Sequence, residues 1–101
     1  MRKIFTLFII TICNLTLYGQ TISGIITDAN NNEELIGVNI ILENGGGTST
    51  DIFGKYTLSV SEGVKKVTFK YIGYKDIIRE ISLYKDENKI INITLESSSK
   101  Q

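Results

Sequence analysis

The 101-residue chain contains no histidine, no proline and no tryptophan, and its single cysteine is Cys13. Without histidine it lacks the commonest general base, the usual metal ligand and the side chain that titrates near neutral pH. One cysteine excludes an internal disulfide. Because Cys13 falls within the N-terminal stretch set apart below, the rest of the chain has no thiol and no sulfur ligand for a metal. An excess of charge of one sign is also missing, since 11 basic side chains balance 11 acidic ones. Nothing electrostatic therefore favours nucleic acid or an anionic membrane as partner, and no nucleic-acid partner is expected. The chain is also short. One core is allowed, two domains are not, and a deep enclosed pocket has little chain to build it.

What is present begins with a leader. Met1-Arg2-Lys3 is followed by a mainly apolar run to Tyr18 and then Gly19. A short basic segment, an apolar segment and a small residue before Gln20 fit a secretory signal peptide. The large Leu17, three residues before the chosen cut after Gly19, leaves room for a shift of a residue or two. A retained membrane helix needs about 20 apolar residues, and this run is shorter and holds Asn14. A lipid-attachment site at Cys13 fits poorly, because Ile12 before it is not small. Removing residues 1–19 takes away Arg2 and Lys3, leaving nine basic against eleven acidic side chains and a net charge of −2. The expected destination is the periplasm or the outer membrane, with secretion as the alternative.

The remaining chain reads as strands of period two. In 22–27, Ile22, Gly24 and Ile26 share a face, and Gly24 in a strand signals a bulge or close backbone approach. Residues 28–34 form a polar loop of turn-forming side chains. In 36–43, Val38, Ile40 and Leu42 share a face. Asn44-Gly45 then marks a hairpin, for which a type I′ turn is the first choice, loosened by Gly46-Gly47. After a short segment at 48–50, an Asp51-to-Gly54 turn leads into a strand whose Tyr56, Leu58 and Val60 point one way. Val67, Phe69 and Tyr71 alternate with Lys66, Thr68 and Lys70. Ile77, Ile81 and Leu83 follow, with Arg79 on their face, and 90–95 closes the series after a charged turn at 85–88. Six or seven strands with turns about every 8–12 residues indicate an antiparallel sandwich or barrel. Outside the leader no stretch keeps a helical period.

No group of residues assembles a catalytic centre, so no enzyme activity and no cofactor are expected. The 28–32 loop copies the first ligands of a calcium-binding loop. Glu33, however, stands where such a loop needs glycine, and Asn39 where it needs a bidentate Glu. Ser97 to Lys100 spells Ser-x-x-Lys at the very end of the chain, without a structure to present it. The adjacent pairs Glu33-Glu34 and Asp86-Glu87 read as solvated loop charge. The sequons at Asn14 and Asn92 lie in the leader and in a strand, and read as chance. Asp51 reads as a turn residue whose carboxylate accepts backbone N–H groups. Tyr71, Tyr74 and Tyr84, with Phe53, either cap the core or offer surfaces for a sugar or a partner protein.

The order and spacing of several short motifs resemble the carboxypeptidase-regulatory-like domain. They are Gly24-Ile25-Ile26-Thr27-Asp28, Leu35-Ile36-Gly37-Val38-Asn39-Ile40, Gly47-Thr48-Ser49-Thr50-Asp51, Gly54-Lys55-Tyr56-Thr57-Leu58 and the run Val67 to Tyr74. The resemblance implies a transthyretin-like, antiparallel Greek-key β-sandwich over residues 20–96, after a leader at 1–19 and before a disordered tail at 97–101. Gly24, Asp28, Gly37, Asp51, Gly54 and Gly73 then become structural turn positions. The resemblance also implies an accessory, non-peptidase module. In Bacteroidetes this module often stands at the N-terminus of TonB-dependent outer-membrane receptors. A protein partner at the outer membrane or in the periplasm is expected, with a glycan as the alternative ligand. The chain departs from the family at Ile52-Phe53, where small polar residues are usual, and at Glu34, where proline is common. Ile52 and Phe53 are therefore expected to be at least partly exposed and to mark a contact, with Tyr74 and Tyr84 as further candidates.

Overall fold

The computed structural model describes residues 19–98. Residues 1–18, which carry the expected leader and Cys13, and residues 99–101 lie outside the described residues. The described chain has no helix. It forms β1 (Gln20–Asp28), β2 (Asn39–Leu42), β3 (Gly47–Ser49), β4 (Lys55–Val60), β5 (Gly63–Lys70), β6 (Ile77–Leu83), β7 (Asn88–Ile90) and β8 (Ile93–Leu95). The first sheet has the order β4-β1-β7, with β8 also on β1, and the second has the order β3-β2-β5-β6.

Alternation creates the two inner faces. Along β1 the even-numbered residues from Gln20 to Asp28 are buried and the odd ones are half-buried. The first sheet contributes Ile22, Ile26, Tyr56, Leu58, Ile93 and Leu95 to the core. The second contributes Ile40, Val67, Phe69, Ile81 and Leu83, and Val38 joins them from the residue before β2. Side chains from the two inner faces meet in one core, as two packed sheets require. Tyr56 and Phe69 meet edge to face across the gap, with ring centroids 5.8 Å apart. That geometry sets the positive ring edge against the negative ring face.

The all-β sandwich is the one expected, but its strands number eight and its first sheet is mixed. β1 pairs antiparallel with β4 and parallel with both β7 and β8. The final strand enters beside β1 rather than beside its sequence neighbour β6, so the turn at 84–87 crosses between sheets. The strand expected over 90–95 is divided at Ile91-Asn92. Its two pieces nevertheless keep one register against β1, with Ser23 opposite Ile90 and Ile26 opposite Ile93. The division is therefore no insertion. At that point the Asn92 side chain replaces the ladder, its Oδ1 accepting the Ile25 N–H at 2.9 Å. The Ile91 carbonyl takes the Tyr56 hydroxyl at 2.7 Å instead. Gly24 sits against this break. A Cβ on it would lie 2.0 Å from the Ile91 oxygen, so close backbone approach is the reason for the glycine.

Three further details differ from the sequence reading. The β2–β3 hairpin is not a type I′ turn. The Gly45 N–H donates to Leu42 O across Glu43-Asn44, and positive φ falls on Gly45 and Gly46 while Asn44 is not left-handed. Ser61-Glu62-Gly63 reads from its residue types as a turn, but β5 already starts at Gly63. The ordered domain also runs past residue 96. Ser97 bridges to Tyr74, and the Ser98 N–H donates to Gly73 O at 2.9 Å.

Candidate functional site

The pairings place the loops at two ends. β1 runs from Gln20 to Asp28, β4 returns antiparallel, and β5 rises to Lys70 opposite Asn39. Residues 29–38, 50–54 and 71–76, together with 96–98, therefore gather at the Asp28 end. The turns at 43–46, 61–62 and 84–87 lie at the Gln20 end.

The Asp51 turn is built as its residue types require. Asp51 Oδ1 accepts the N–H groups of Phe53 at 2.8 Å and Lys55 at 3.0 Å. The Gly54 N–H donates to Asp51 O and the Asp51 N–H to Lys55 O, both at 2.9 Å. The Lys55 and Phe53 amides hold the Asp51 carboxyl below its ordinary value. Gly54 has φ +74°, and a Cβ there would stand 2.9 Å from Glu34 Cβ. Only glycine satisfies both conditions. The tip of this rigid turn is Ile52 and Phe53, 66% and 58% exposed.

Neighbouring loops are tied to it. Buried Thr50 accepts the Val38 N–H at 2.9 Å and donates to Leu35 O at 2.6 Å, so its hydroxyl closes the Ile36-Gly37 corner. The Gly37 N–H donates to Thr50 O at 3.0 Å. Asp28 Oδ1 accepts the N–H groups of Asn30 and Asn31, and Oδ2 accepts the Tyr74 hydroxyl at 2.5 Å. The residue that headed the calcium-like pattern is thereby engaged by its own loop and by Tyr74. Tyr74 also stacks on Tyr71, with centroids 5.5 Å apart. Its hydroxyl and one ring face are used inside the chain, so its visible role is structural rather than that of a free contact residue. Tyr84 is 76% exposed, but on the turn at the opposite end. Gly37 and Gly73 have φ of +84° and +89°, as turn positions demand.

The candidates thus separate. Ile52 and Phe53 share one tip, Tyr74 underpins the same end, and Tyr84 stands apart. Sequence reasoning passed over Ile36 and Ile72, which are 52% and 93% exposed at the same end as Ile52 and Phe53. It also passed over Thr50 and Asn92 as hydrogen-bonding residues. Among the described residues no group of three or more Asp or Glu side chains converges as a metal site. Among the same residues no buried side-chain nitrogen or oxygen lacks a partner.

These features define a β-sandwich module whose distinctive surface is apolar and carried on turns. Residues 22–101 match the CarboxypepD_reg-like domain, and the chain belongs to that family. No curated protein matches it. Among solved structures, the TIE protein of Bacillus anthracis aligns with a TM-score of 0.64 at 16% identity, over 76% of this chain and 16% of that one. A putative membrane-associated protein of unknown function from Bacteroides fragilis aligns at 0.60 and 20%, over 81% and 29%. A chain of a type II cohesin–X–dockerin complex from Acetivibrio cellulolyticus aligns at 0.55 and 19%, over 76% and 57%. At these identities the likeness is one of fold, and the chain spans only part of each of these larger proteins.

Proposed function

We propose that this domain is a non-catalytic, exported accessory module that docks on a protein at the outer membrane or in the periplasm. Its relationship would be that of the N-terminal extension of a TonB-dependent receptor. The observation that carries this reading is the Ile52-Phe53 tip. Two large apolar side chains are held toward solvent by a turn whose Asp51, Phe53, Gly54 and Lys55 amides are all hydrogen-bonded, which costs little ordering on binding. The leader composition supports export, and a structural neighbour within a cohesin–X–dockerin complex supports such sandwiches in protein assemblies. Outer-membrane and periplasmic fractions of the producing cells, passed over immobilised domain, provide the test. Capture by the native domain and at least tenfold weaker capture by the Ile52→Ser/Phe53→Ser variant is the expected result. Equal capture by both overturns it.

A second reading is favoured by Tyr84, whose exposed ring at the opposite end offers a stacking face for a sugar. In this reading the domain is a secreted glycan- or protein-binding module. Glycan-array binding abolished by Tyr84→Ala and untouched by changes at Ile52 and Phe53 would select it.

A further inference from the structure

We propose that the whole Asp28 end is one interface, and that it fits a protein surface bearing an apolar patch edged by lysine or arginine. This rests on the docking reading above and names both the extent of the surface and its partner. Three loops place an exposed apolar residue immediately before a left-handed glycine there: Ile36-Gly37, Phe53-Gly54 and Ile72-Gly73. In each, the glycine reverses the backbone and leaves the preceding side chain at the corner, pointing away from the core. The corners are neighbours. Gly37 bonds to Thr50, one residue before the Asp51 turn, and a Cβ on Gly37 would lie 3.9 Å from the ring of Tyr71, which precedes Ile72. Ile52 completes the row. Ile41, Val64, Ile78, Tyr84 and Ile90 are exposed elsewhere, on strands or at the opposite end, whereas these four stand together on the corners of adjoining loops, as an apolar patch does.

Charge decides the occupant. Beside Ile72, Lys70 pairs with Asp76 at 3.3 Å and Lys75 with Glu96 at 3.4 Å, so the basic groups there are balanced. Beside Ile36, Glu33 and Glu34 form no ion pair among the described residues. Lys55, next to Gly54, faces the Asp51 carboxylate of its own turn, so Glu33 and Glu34 are the carboxylates left over and the rim is acidic. An anionic bilayer would be repelled by it, and a second copy of the same end would set like carboxylates against each other. A basic-rimmed apolar protein surface complements it.

The probes are the outer-membrane extract of the producing cells, phosphatidylcholine and phosphatidylglycerol vesicles, and the purified domain itself. Four variants accompany the native domain. Ile36→Ser and Ile72→Ser test the enlarged patch, and Glu33→Lys/Glu34→Lys tests the rim. Val64→Ser, its exposure between those of Ile36 and Ile72 but at the Gln20 end, is the control. The expected result is a protein captured from the extract at least tenfold less well by Ile36→Ser and Ile72→Ser. Capture should also fall several-fold in the charge reversal and with added salt, and be unchanged in Val64→Ser. All four variants should retain native circular dichroism. Capture that depends on Ile52 and Phe53 but not on Ile36, Ile72 or the two glutamates overturns this inference and leaves the docking reading standing. No capture at all overturns both. Binding to either vesicle, or self-association in sedimentation that Ile72→Ser abolishes, overturns the assignment of the occupant.

Discussion

The Tyr74 hydroxyl donates to Asp28 Oδ2 at 2.5 Å, joining the loop after β5 to the last residue of β1, 46 positions away in sequence. Each partner shifts the other. The hydroxyl, then the Asn30 amide, hold the Asp28 carboxyl below 3.8, and Asp28 holds the Tyr74 phenol above 10.0.

The sign of the pH dependence follows. A carboxyl with a lowered folded value stabilises fully above about pH 4, and loses that contribution as pH falls through the folded value. A phenol with a raised folded value stabilises fully below about pH 10 and loses its contribution on further rise. One contact therefore weakens at both extremes. Tyr74→Phe should lower the urea midpoint at pH 7 and flatten the acid limb of the stability curve. The alkaline limb should persist in part, because burial pushes the Tyr56 phenol up to about 12. An acid limb of native steepness in Tyr74→Phe would show that Asp28 is held by its own loop alone.

Gly24 makes a sharper case. Its missing side chain admits the Ile91 carbonyl, and the nearest atoms to an added Cβ are backbone, which no rotamer change can move. Gly24→Ala should destabilise by about 3 kcal/mol, the upper part of the range for overpacking. Tyr56→Phe, which strips the hydroxyl from the same Ile91 carbonyl, should cost about 1 kcal/mol. Urea midpoints with unchanged slope are the measurement. A neutral Gly24→Ala would mean that β1 and the last strand separate easily at the break.

How much of this was legible depends on whether the information was local. The alternation in β1, β4 and β5 identifies the core side chains, because a period-two pattern needs only the strand itself. Gly24 was readable as a close approach, but its neighbour was not, since parallel pairing with 88–95 leaves no hairpin signal. Ile36 was lost for a different reason. It shares parity with buried Val38 and Ile40, and the left-handed Gly37 between them reverses the face. Ile72 has a usable signal, being the outward neighbour of Tyr71 just before the left-handed Gly73. Tyr74 reads either as a core cap or as a contact residue, because its partner Asp28 lies too far away in the chain to give a local signal. Ile52 and Phe53 were placed outside correctly, since an Asp-x-x-Gly turn leaves its middle positions no core to enter.

Thr50 carries the next prediction. Its buried hydroxyl serves both the Val38 N–H and the Leu35 carbonyl, replacing the bond that would otherwise close the Ile36-Gly37 corner. Thr50→Val preserves the volume and leaves both backbone groups unpaired, so a loss of about 2 kcal/mol is expected. Thr50→Ser should recover most of it. If the valine variant matches the native midpoint, the corner must be held by the backbone bonds from Gly37 N–H to Thr50 O and from Thr50 N–H to Val38 O.

The last prediction separates the surface from the core within one side-chain type. Phe53 and Phe69 differ by position only: Phe53 is an exposed turn tip, while Phe69 is wholly buried against Tyr56. Phe69→Ala removes a core ring and should cost about 4 kcal/mol. Phe53→Ser removes a side chain that is 58% exposed and outside the core cluster, and should change stability by less than about 0.5 kcal/mol. The turn survives because its bonds run from Asp51 to backbone amides, and the Phe53 N–H is present whatever the side chain. Thermal and urea unfolding of the two variants, side by side, make the comparison. A large loss in Phe53→Ser would mean that the ring is packed in solution, and the apolar tip would then be part of the fold. An unchanged midpoint leaves the exposed Phe53 ring without a stabilising role inside the domain, and a contact outside it as its remaining use.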